Sequence, residues 1–173
     1  MIRRLLIAAF AGCLLATQAT AGVEPSKPIE LSRMAGRWYE IARVPNKLQN
    51  GCVGGAADWK PQPTGFTVTQ SCHKGGPDGP VSLWKAKATV ADTRTNAKFH
   101  MTFFGGVIAQ DYVVLDHRPD QGWLVLATAN GRYLWLMSQQ PSLPAVFKAQ
   151  ALARIRQMGF DVGRLEFPLP ARS

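Results

Sequence analysis

Acidic residues are scarce in this chain. Eleven Asp and Glu stand against twenty Lys and Arg in 173 residues, a formal net charge of +9. The basic residues are spread evenly instead of clustered, so nucleic acid is not an expected partner. A solvated surface, with peripheral attraction to anionic membrane head groups, accounts for the excess. Cysteine is scarce as well. Cys13, Cys52 and Cys72 form no C-x-x-C pair, which removes zinc-ribbon and thioredoxin-like chemistry, and no metal site is expected. His73, His100 and His117 fall in a turn and at solvent-facing positions, so all are read as surface residues. No Ser or Cys occupies a nucleophile elbow, and no glycine-rich phosphate loop leads into a helix. These absences argue against an enzyme.

Long apolar runs are missing beyond the first residues. Met1 to Arg4 is a short basic start, Leu5 to Ala16 is apolar, and Ala19-Thr20-Ala21 is an A-x-A cleavage pattern. The pattern predicts a secretory signal peptide over residues 1–21, too short to span a membrane stably. Residues 22–173 then make a single domain with length for a sizeable core. The expected location is the periplasm, in soluble form. Phe10-Ala11-Gly12-Cys13 looks like a degenerate lipobox, so an outer-membrane lipoprotein anchored through Cys13 is the alternative. Against it, apolar residues continue through Leu14, Leu15 and Ala16, where a lipoprotein turns polar. Removing the leader leaves Cys52 and Cys72, an even pair in an oxidising compartment.

The rest reads as strands joined by short turns. Arg37 to Val44 is the first, with Trp38, Glu40 and Ala42 on one face and Tyr39, Ile41 and Arg43 on the other. Cys52 to Trp59 and Phe66 to Cys72 form a hairpin around a proline-rich turn. Positions 52 and 72 are symmetric about residue 62, which would set the two cysteines opposite one another and predicts a disulfide. Val81 to Ala91 alternates Trp84, Ala86 and Ala88 with Lys85 and Lys87, so the lysines face water. Lys98 to Phe104 places Phe99, Met101 and Phe103 on one face. Gln110 to Asp116 is a further strand, and residues 117–122 form a turn. Trp123 to Ala129 and Arg132 to Ser138 flank Asn130-Gly131, a strong hairpin signal. Ser142 to Met158 reads as the one long helix, capped by Ser142 with Pro144 in its first turn. Arg164 to Phe167 is a candidate last strand.

The run Gly36-Arg37-Trp38-Tyr39-Glu40-Ile41-Ala42-Arg43 resembles the first signature of the lipocalins, in the bacterial and apolipoprotein-D-like branch. Met101-Thr102-Phe103-Phe104-Gly105, Tyr133 to Ser138 and Gly159-Phe160-Asp161-Val162 look like the bacterial members too. The resemblance implies an all-β fold: an eight-stranded antiparallel up-and-down barrel, one C-terminal helix packed outside, and a short ninth strand. Gly36 lets the chain turn and gives the Trp38 indole room, with Trp38 plugging the closed floor. Gln139 stands where the family carries an arginine stacked on that tryptophan.

The family register turns Gln139, Met137, Trp135 and Tyr133 inward. Tyr112, Val114, Leu124 and Leu126 join them, with Ala42, Trp59, Trp84, Phe99, Met101 and Phe103, to line a ligand cavity. Such a lining suits a fatty acid, a lysophospholipid or a similar elongated lipid, bound and carried without cofactor or catalysis by a monomer or weak dimer. A lipid-modifying enzyme and a haem or tetrapyrrole carrier are the alternatives. Alternation alone does not separate a hollow barrel from a filled one.

Overall fold

The computed structural model describes residues 22–170, so the signal peptide expected over residues 1–21, with Cys13, lies outside the described residues. The strands are β1 (Gly36–Arg43), β2 (Cys52–Gln62), β3 (Gly65–Lys74), β4 (Val81–Val90), β5 (Lys98–Phe103), β6 (Ile108–Arg118), β7 (Trp123–Thr128) and β8 (Leu134–Ser138). Each pairs antiparallel with the next, and β8 returns to β1 to close the barrel. Among the described residues, closure leaves no unpaired sheet edge. One helix, α1 (Ala145–Gln157), packs outside.

Alternation along the strands builds two cores. The inner one holds Trp38, Trp59, Phe66, Phe99, Met101 and Leu124. The outer one lies under α1, where Ala151 and Ile155 bury against Leu115, Trp123, Val125 and Leu136. Burying each of these large side chains contributes about 1.5–3 kcal/mol.

Two of the three register shifts among the described residues reset the alternation beside the site. The β1–β8 register shifts between Glu40 and Ala42, and the β6–β7 register between Val114 and Asp116. One extra residue in a strand sends everything beyond it to the opposite face. Ala42, expected inside, therefore lies in the outer core, whereas Arg43 sits opposite the inward Trp135. Likewise β6 runs on to Arg118 where a turn was expected, and His117 is inward and 3% exposed, not a surface residue.

Other expectations shift less. Pro144, not Ser142, is the N-cap of α1, with no side-chain capping bond. The ninth strand shrinks to one antiparallel bridge, Arg43 to Glu166. Gly36 adopts φ +104°, the left-handed region that glycine tolerates, and a Cβ there would meet nothing. Its role is conformational rather than making room for Trp38.

The disulfide joins Cys52 and Cys72, with Cα atoms 5.4 Å apart. The hairpin centre lies between Gln62 and Gly65, so Gly55 faces Cys72 and Cys52 faces Lys74. The bridge is diagonal, next to a bulge between Cys52 and Gly54.

Candidate functional site

Consecutive antiparallel strands put their connections at alternate ends. At the floor, the 3₁₀ turn Leu31–Met34 runs beneath the barrel, and Trp38 Nε1 donates to Met34 O at 2.9 Å. His117 meets the Trp38 indole edge to face at 5.8 Å. Gln139 is exposed on the surface instead of turned inward; its backbone N–H donates to Gly122 O. His117 thus packs on the signature tryptophan, whereas Gln139, at the position where the family carries a stacked arginine, does not. Burial pushes the His117 imidazole below its ordinary pKa, helped by the positive charges of Lys27 and Arg33. Its Nε2 is buried without a partner.

Above the floor, Trp59, Phe66 and Phe99 pack mutually edge to face, with centroids 5.4–6.0 Å apart. Higher still, a central cavity is lined by Trp59, Met101, Tyr112, Leu124, Leu126, Trp135 and Met137, with Trp38, Glu40, Ala57 and Gln70. Its volume is only about 30 Å³, room for about two waters. The barrel is close to filled.

Of the residues expected to line a ligand site, Phe99, Phe103 and Val114 are in the inner core away from this cavity, and Trp84 packs against that core half-buried. Tyr133 precedes β8 and packs with the outer core, its ring 6.4 Å from that of Trp135. Ala42 is outside, as the bulge requires.

At the mouth lies a polar cluster around Glu40, which alternation already set on the face of Trp38, whereas its partners Arg43 and Gln49 were not selected from the sequence. The β1–β2 loop carries a 3₁₀ turn, Lys47–Gln49, that drops Gln49 into the opening. Gln49 Nε2 donates to Glu40 Oε1, and Gln49 Oε1 accepts from Trp135 Nε1 at 2.9 Å and Asn46 Nδ2 at 2.6 Å. Arg43 donates to Glu40 Oε2, to Glu166 Oε1 and to the Cys52 carbonyl. Glu40 and Arg43 are 3% and 2% exposed. Burial pushes the Glu40 carboxyl above its ordinary pKa, although Arg43 opposes this.

Gly55 makes room for the pair: a Cβ there would stand 2.5 Å from Glu40 Oε2. The Gly54-Gly55 doublet within β2 was the available sequence signal. Inside the cavity, Gln70 Oε1 is buried without a partner, and burial pushes the Tyr112 phenol up to about 12. The interior is thus apolar with a thin strip of polar groups.

An up-and-down barrel with a mostly apolar interior and a looped-over mouth defines the class of small-ligand-binding β-barrels. A lipocalin-like domain model matches residues 29–170, and the chain belongs to the lipocalin family, whose members bind small hydrophobic ligands. It is 25% identical over 155 residues to the outer membrane lipoprotein Blc of Vibrio cholerae, covering 89% of this chain and 88% of that protein. Temperature-induced lipocalin-1 of Arabidopsis thaliana is 28% identical over 150 residues, covering 83% and 80%. Among solved structures, insecticyanin of the tobacco hornworm Manduca sexta superposes with a TM-score of 0.69 at 19% identity, covering 84% of this chain and 83% of that one. That last likeness concerns the fold.

Proposed function

We propose that this lipocalin binds and carries an elongated hydrophobic molecule, a fatty acid or lysophospholipid, within the cell envelope after export. One observation carries the reading: a continuous lining of Trp59, Met101, Leu124, Leu126, Trp135 and Met137 surrounds a cavity directly beneath the Gln49 turn. Apolar contact supplies the affinity, at about 25 cal/mol per Å² buried before the costs of binding.

A volume of about 30 Å³ does not admit an acyl chain, so uptake requires the mouth to open. Releasing Gln49 frees Trp135, and the unbranched methionines Met101 and Met137 can repack around a guest. Tyr112 and Gln70 then orient a polar head group near the mouth. The reading is of binding without chemistry, with no cofactor, and it is supported by the state of the polar groups. Glu40 is committed to Arg43 and Gln49, and His100 pairs with Asp111 on the exposed face. The relatives named as outer membrane lipoproteins support an envelope location.

Native mass spectrometry of the exported protein, followed by lipid extraction, tests this. A co-purifying acyl lipid, or saturable binding of added fatty acid, is the expected result. Turnover of an added lysolipid, or a Soret-absorbing species in place of lipid, would overturn it.

A further inference from the structure

Connections β1–β2, β3–β4, β5–β6 and β7–β8 all lie at the mouth, because an up-and-down barrel alternates the ends of its turns. Nine large apolar side chains are exposed among the described residues, and six of them are on these connections or the strand ends beside them. Leu48 is on the β1–β2 loop, Val81 and Leu83 open β4, and Phe104, Val107 and Ile108 form the β5–β6 connection and its exit. Val107 is 84% exposed and Leu83 66%. The pairings His73 to Val81 and Ala86 to Phe103 make these connections neighbours, so the residues form an arc. Contiguous apolar surface at one pole of a soluble domain marks a contact.

Charge selects the occupant. Residues 22–173 carry 18 Lys and Arg against 11 Asp and Glu, a net +7, and Lys47, Lys74 and Arg132 stand at the rim. Of the acids nearby, Asp111 is paired with His100, and Glu166 with Arg43; Asp78 lies in the β3–β4 loop. An apolar arc edged by lysine and arginine matches an anionic lipid interface, where apolar side chains enter and cations meet head groups. We propose that the barrel mouth docks on an anionic phospholipid bilayer, with Leu48, Leu83, Phe104 and Val107 entering its interfacial layer. The inference rests on the lipid-carriage reading, for which it supplies the entry route. Leu48 shares its 3₁₀ turn with Gln49, so insertion of Leu48 pulls on the residue that closes the cavity.

Flotation of the exported, disulfide-intact protein with vesicles of phosphatidylglycerol and phosphatidylcholine tests the docking. The wild type should bind these vesicles, and salt should weaken the binding. The double variant Leu83→Asp/Val107→Asp should lose affinity by about tenfold or more. Val146→Asp, a matched change at an exposed position on α1, should leave it unaltered. An unchanged unfolding midpoint in each variant shows that the fold is intact. Absence of wild-type binding, or equal losses in both variants, would overturn the proposal. So would a dimer that the rim substitutions dissociate while vesicle binding persists, since the arc would then serve a second copy. Fatty-acid binding in vesicle-free buffer separates the two readings. It should survive the rim substitutions, and its absence from the wild type would sink carriage whatever the vesicles report.

Discussion

Trp135 on β8 donates its indole N–H to the side-chain oxygen of Gln49, 86 residues earlier, at 2.9 Å. This bond ties the β1–β2 loop to a residue lining the cavity, and Gln49 passes the connection on to the buried Glu40 carboxylate. The mouth is held shut by polar bonds over an apolar interior.

Gln49→Ala should speed ligand entry several-fold and lower stability by about 1–3 kcal/mol, because Trp135 and Glu40 each lose a buried partner. Stopped-flow tryptophan fluorescence with a fluorescent fatty acid reads the first effect. An unchanged entry rate would remove Gln49 from the gate.

Trp135→Ala should weaken acyl-lipid binding by about tenfold or more, since an aromatic anchor in a pocket carries a large share of the affinity. Lys85→Ala, on the exposed face of β4, should not change it. Equal dissociation constants for the two variants would count against the inner lining.

Gly55→Ala should lower stability by about 1–3 kcal/mol through overpacking. The new methyl meets the Glu40 carboxylate, which Arg43 and Gln49 hold in place. Urea unfolding measures this, and a neutral result would mean that the buried pair moves freely.

Opening the Cys52–Cys72 bridge by Cys72→Ser should lower stability by about 3 kcal/mol, given its sequence separation of 20. Mass spectrometry after thiol blocking, without reduction, should find no free thiol on either residue in the exported protein. Two blocked thiols would refute the pairing.

The buried His117 should make the floor sensitive to acid. Its folded pKa is depressed below the ordinary 6.5, so its contribution is present above that pH and is lost as pH falls toward the folded value. His117→Phe keeps a ring against Trp38 and removes the orphaned Nε2. As pH falls below about 6.5, the variant should lose less stability than the wild type. Parallel curves in thermal melts across that range would show that His117 does not titrate on unfolding.

Much of the barrel was legible in the chain, because a period of two with glycine- and asparagine-marked turns is a local signal. The strand order, the Asn130-Gly131 hairpin, the outer helix and the cysteine pair all came from such patterns. Ala42 and His117 were misread for one reason. A bulge adds a single residue whose only trace is the register with a partner strand far along the chain. Gln49 was passed over because a glutamine in a polar loop looks like any solvated residue until the barrel closes beside it.

The family, the eight strands and the inward face of the stretches between bulges are therefore properties of the sequence by itself. Tertiary structure decided the rest: which ring covers Trp38, where Glu40 finds its cation, and how little space the closed barrel retains. Those outcomes depend on side-chain volumes meeting across the barrel's diameter and on bonds between residues distant in the chain. No local pattern encodes either quantity.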